Sequence, residues 1–153
     1  MITYPQAAWG DTPTATNAAG LLSSDFSTVY AATFGTLEVG IPGTAGFSIV
    51  FTDVIALLDY LPEINPIGPL VSDLLNPLST ASGAFGGVTA LHLNVDFSDA
   101  GFTLGSSGIP FGDLILANFN TLPVLNALTV GQFLAIDNTA LGGGSSIFSI
   151  ADL

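Results

Sequence analysis

The chain has 153 residues, twelve carboxylates, one histidine and neither lysine nor arginine, for a formal charge of −12. With no strong cation among its side chains it cannot neutralise nucleic-acid phosphates, cradle a nucleotide with a loop lysine, form a Schiff base or dock on anionic lipid through a basic patch. Only 8% of residues are charged, against about 25% in an average domain, while 49% are hydrophobic, so much of the surface must be neutral or apolar, and such surfaces meet a partner.

In chain order, Trp9 to Pro13 reads as a loop. Asn17 to Tyr30 predicts a helix, with Leu21, Leu22, Phe26 and Val29 on one side. Thr36 to Ile41 and Ala45 to Phe51 predict two strands joined by the hairpin signal Pro42-Gly43-Thr44. Thr52 is the expected cap of a short helix from Asp53 to Leu61, stopped by Pro62. Gly68 to Leu75 reads as one or two helical turns closed by Asn76-Pro77, and Ser79 to Gly87 as a loop.

The clearest strand pattern follows. Leu91, Leu93, Val95 and Phe97 alternate with Ala90, His92, Asn94 and Asp96 at a strict period of two. Ser98-Asp99-Ala100-Gly101 then predicts a turn, Phe102 to Leu104 a return strand, and Asp113 to Phe119 another strand. Thr129 caps a last helix whose apolar stripe is Val130, Phe133, Leu134 and Leu141, ended by Gly142-Gly143-Gly144, which could serve as a hinge or simply as a stop. Ser149 to Leu153 reads as the start of a further helix. The longest uncharged stretch, Leu114 to Ile136, is broken by Asn118, Asn120, Pro123, Asn126, Gly131 and Gln132, so no transmembrane segment is expected. There is no cysteine, hence no thiolate metal site or disulfide scaffold. Met1-Ile2-Thr3-Tyr4-Pro5 lacks the basic start and apolar run of a leader. Residues 1–153 read as a single domain, a processed or truncated portion of a longer secreted chain.

Four segments carry a resemblance. They run from Leu37 to Ser48, from Val88 to Gly101, over Phe111-Gly112-Asp113-Leu114, and from Leu128 to Ile136 followed by Asn138 to Ser145. Together they resemble the ectodomain of secreted bacterial surface proteins with a C-terminal sorting or anchor tail, of the PEP-CTERM or choice-of-anchor type, over about Thr36 to Leu153. The resemblance implies an exported, non-catalytic module and brings no catalytic residues.

Among candidate sites, His92 is the only imidazole, expected on the polar side of its strand. Gly105-Ser106-Ser107-Gly108 lacks the final glycine of a nucleophile elbow and reads as a turn. Paired carboxylates suited to glycoside chemistry lack any basic side chain to hold a sugar. Asp96 and Asp99, with the Ser98 hydroxyl, would converge at a strand end, either as part of an oxygen cage for calcium, with Asp113 next, or as a turn in which the carboxylates accept local N–H groups.

These readings predict an α+β fold, with an antiparallel sheet or sandwich and three or four short helices. The expected role is a non-catalytic extracellular structural protein, a self-associating subunit of a fibre, sheath or matrix layer, secreted or on the bacterial surface. The alternative is a monomeric adhesin or glycan-binding module. No enzyme activity and no cofactor are expected, apart from calcium at Asp96, Asp99 and Asp113. The expected partner is a second copy of the chain, in a homo-oligomer or polymer, or extracellular matrix or glycan. Acid or divalent cations should promote assembly, because copies bearing only negative charge repel.

Overall fold

The fold of the computed structural model, which describes residues 1–62, 68–78 and 83–148, is mixed α+β, with 43% of residues helical and 9% in strands. Among the described residues there are five helices and three strands, so helices dominate and exceed the three or four expected. The sheet is mixed rather than antiparallel. β1 (Leu37–Gly40) and β2 (Ser48–Phe51) pair antiparallel with Leu37 opposite Phe51, as the hairpin signal predicts. β3 (Leu74–Leu75) joins the other side of β2 in parallel. The one or two helical turns expected over Gly68 to Leu75 are absent. Side chains set this short strand instead: Asp73 Oδ1 accepts from Ser48 N–H at 2.9 Å, and Asn76 Oδ1 accepts from Thr52 N–H at 2.8 Å.

Helix α1 (Gln6–Trp9) precedes the expected loop and takes Trp9 out of it. Helix α2 (Ala18–Val29) is capped by Asn17, whose side chain accepts from Gly20 N–H. Helix α3 (Val54–Tyr60) is capped by Asp53, not Thr52; the Asp53 carboxylate accepts from Ile55 N–H at 2.8 Å. Helix α5 (Val130–Leu141) carries the predicted Thr129 cap as a full capping box with Gln132.

The largest correction concerns Leu91 to Phe97, which is the second half of helix α4 (Gly83–Asp99) and not a strand. The alternation arises because α4 packs against α1, α5, β1 and the turn over Phe111–Asp113. Buried on several sides, it hides Leu93, Val95, Phe97, Asn94 and Ser98 together, which erases an amphipathic period. The helix also takes the last residues of the expected Ser79–Gly87 loop; residues 79–82 lie outside the described part. Phe102 to Leu104 forms no return strand. Asp113 to Phe119 gives one isolated bridge, Ile115 with Thr129, behind a single 3-10 turn (Phe111–Asp113). Gly105 to Gly108 is the expected turn, closed by Gly108 N–H to Gly105 C=O at 3.0 Å. The predicted helix start over Ser149 to Leu153 lies outside the described residues.

Trp9, Leu22, Phe51, Tyr60, Leu93, Phe97 and Leu141 are fully buried and join the helices and the sheet in one core. The Trp9 ring meets Tyr4 edge-on at 5.2 Å and Phe97 at 5.1 Å. Gly142 is needed where α5 ends. A Cβ there would come within 2.6 Å of Ile41 and 2.7 Å of the Phe47 carbonyl, so the glycine run is a packing joint rather than a linker. Among the described residues no helix is long and apolar enough to cross a membrane.

Candidate functional site

Strand β1, the end of α2 with the turn that follows it, and the C-terminal half of α4 line an open cavity of about 610 Å³. His92, Asp96 and Asp99 line it from α4, Tyr30 from the end of α2, and Glu38 from β1. Helical spacing places His92 and Asp96 one above the other, four residues apart. The Tyr30 hydroxyl donates to Asp96 Oδ2 at 2.7 Å, and His92 Nδ1 lies 3.5 Å from the same oxygen. On the far side of the imidazole, Nε2 is 2.9 Å from Asn138 Nδ2 of α5.

The orientation of Asn138 follows from β1. Gly40 N–H donates to Asn138 Oδ1 at 2.8 Å, so the amide turns its NH₂ towards His92. His92 Nε2 therefore accepts, and the ring proton sits on Nδ1, facing Asp96. An imidazole held this way has its free lone pair already engaged and is poorly placed to take a proton from a bound substrate. Burial, then the Asp96 charge and the hydrogen bond donated to it, holds the Tyr30 phenol well above its usual range, so it remains a donor. The cavity is thus an anionic, mostly apolar recess in which Tyr30 is tied to Asp96 and His92 to Asn138. Its carboxylates can accept from hydrogen-bond donors or face a cation.

The predicted metal residues are brought to one end of α4, but not as expected. Asp96 and Asp99 lie on a helix, three residues apart, rather than at a strand end, and Asp113 sits on the 3-10 turn packed against that helix. Burial first, and then the charges of Asp96 and Asp113, raise the Asp99 carboxyl above its ordinary value. The partial negative charge of the helix C-terminus lies at the same place. Among the described residues no three His, Cys, Asp or Glu side chains are grouped so as to hold a metal ion. A calcium cage at this end would need oxygens from outside the group.

Tyr30, Glu38 and Asn138 belong to the site although the sequence reading passed over them. The four-residue spacing of His92 and Asp96 was the available signal, and it was overridden by the period of two. A buried acid, Asp137, was missed as well. It fills the gap in the α5 stripe between Leu134 and Leu141. Comparison with known proteins finds no matching family model, no matching curated sequence and no matching solved structure.

Proposed function

We propose that this chain is a non-catalytic, exported structural module that associates with copies of itself, as a subunit of a fibre, sheath or matrix layer. The observation that carries the reading is the outer edge of β3. Among the described residues no strand pairs with that edge. Leu75 of this strand is 69% exposed, and Val71 and Leu78, just before and after it in the chain, are 85% and 68% exposed. Natural edges of this kind are commonly guarded by lysine, and this chain has none. Phe34, 99% exposed with a left-handed backbone at φ 57°, adds an uncovered aromatic elsewhere on the surface. The engaged imidazole of His92 supports the non-catalytic part of the reading, and the anchor-type resemblance supports export.

The test restores the missing guard. Leu75→Lys changes a side chain that points to solvent in the single copy, so circular dichroism should be unchanged. Sedimentation velocity should show association for the native chain, through a contact of about 1,000 Å² or more, and at least about tenfold weaker association for the variant, or 1.4 kcal/mol. A native chain that stays monomeric at every concentration reached would overturn the reading. The second reading, an adhesin or glycan-binding module, would then lead, because the cavity beside Asp96 offers carboxylate acceptors to a hydroxyl-rich ligand.

A further inference from the structure

Asp137 is the only titratable side chain of α5, and it sits on the face the helix turns to the core. Val130, Leu134 and Leu141 flank it on the same stripe and are buried. Asp137 itself is 4% exposed, and its Oδ1 has no hydrogen-bond partner. Burial alone pushes this carboxyl up to about 7. The elements packed against α5 are α4, β1 and the Phe111–Asp113 turn. Their titratable groups are His92, Asp96, Asp99, Glu38 and Asp113. Four of these are acids, and the fifth is already held between Asp96 and Asn138. Among the described residues of these elements, none is therefore placed to neutralise an ionised Asp137.

The same helix ties three distant segments together. Gly40 N–H donates to Asn138 Oδ1 at 2.8 Å, Phe47 N–H to the Gly142 carbonyl at 3.0 Å, and Leu70 N–H to the Leu141 carbonyl at 2.7 Å. Leu70 leads into β3, so the seat of α5 reaches the exposed sheet edge. We propose that Asp137 is a proton-operated latch for α5: protonated, it lets the helix seat against β1 and α4, and ionised, it works to lift the helix away. An unpaired buried carboxylate is costly where a neutral carboxylic acid is tolerated.

The sign follows from linkage. In the released helix the carboxyl returns to its ordinary range, so the seated form binds the proton more tightly. The contribution to seating is fully present in acid, is lost as pH rises from the ordinary carboxyl range to about 7, and is constant above that. Release should grow about tenfold per pH unit inside that window.

Residue-resolved hydrogen exchange on the full chain reads this directly, because the amides of Gly40, Phe47 and Leu70 are the groups α5 holds. Between pH 5 and pH 6.5 their exchange should rise about a hundredfold per pH unit, tenfold from base catalysis and tenfold from release, and only about tenfold per unit above pH 7. Amides of α2, which packs away from α5, should follow base catalysis alone. Asp137→Asn and Asp137→Leu should each remove the excess at the three reporters. The carboxyl carbon shift of Asp137 in the native chain should turn over in the same pH range as the exchange. An ordinary carboxylate midpoint for that carbon overturns the latch without any variant. So does an excess that survives either substitution, or an equal excess in α2, which would mean global unfolding rather than a released helix.

Discussion

Asn94 offers a sharp test of how the first residues are held. It lies in the middle of α4 and is only 7% exposed. Its Oδ1 accepts from Tyr4 N–H at 2.8 Å, and its Nδ2 donates to the Tyr4 carbonyl at 2.8 Å and to the Ala90 carbonyl at 2.9 Å. One amide side chain thus pairs with both backbone groups of Tyr4, as a neighbouring strand would. Asn94→Ala removes all three bonds. The Ala90 carbonyl keeps its place in the helix, but both polar groups of Tyr4 lose their partners in a half-buried position. At about 1 kcal/mol per net bond, with part of the loss recovered by water, the cost should be about 2–3 kcal/mol. For a domain of this length that corresponds to a melting temperature lower by about 5–10 °C. Tyr4 packs its edge on Trp9, the single tryptophan and fully buried. Its fluorescence should therefore shift to the red in the variant below the main transition, while helical ellipticity holds. If the variant melts within about 0.5 kcal/mol of the native chain and Trp9 emission is unmoved, the Tyr4 pairing does not hold the N-terminal segment and the reasoning fails.

Gly20→Ala should destabilise by about 2 kcal/mol or more despite the better helix propensity of alanine, because the added Cβ runs into the Thr14 carbonyl oxygen. Thr14 cannot retreat freely, since its N–H is held by Asn17 Oδ1 at 2.9 Å; a thermal melt equal to or above that of the native chain would show that this loop yields. Millimolar calcium should strengthen self-association by bridging carboxylates of two copies, and Asp96→Asn with Asp99→Asn should abolish that gain in light scattering. Association of equal strength in chelator would place these acids away from the contact.

The elements with local punctuation were legible in the sequence. Thr129 marks α5 because a cap is a bond between neighbours in sequence, and Pro42-Gly43-Thr44 marks the hairpin because a turn is equally local. What could not be read depends on distant partners. β3 exists because Asp73 and Asn76 reach across to β2, over separations of 25 and 24 residues. Helix α4 lost its amphipathic signature because neighbours cover it on several sides, and the leucines and valines that remained happened to alternate. Two pairs in that segment did show the helical step of four, His92 with Asp96 and Asn94 with Ser98. All four side chains have tertiary roles: Ser98 Oγ accepts from Phe111 N–H at 2.8 Å, Asn94 holds Tyr4, and the other two form the cavity. Asp96 and Asp99, expected at a strand end, stand on helix α4, so their directions could not be anticipated. Asn138 carried no sequence signal, since its role depends on Gly40, 98 residues away.

That distance bears on when the fold can be completed. Tyr4 waits for Asn94, across 90 residues, and β1 waits for Asn138, across 98. Closing loops of this length is entropically slow relative to local helix formation. Synthesis proceeds from the N-terminus, so the hairpin is made long before the helix that ties its end. A ribosome-bound chain can form α2 and the β1–β2 hairpin, yet it lacks the groups that Gly40, Phe47 and Leu70 require until residues 138–142 have emerged. The Tyr4 segment and the end of the hairpin therefore stay untied until Asn94 and then Asn138 have been made, with both closures deferred. The end of the hairpin and the Leu70 segment commit to their native ties only when α5 arrives.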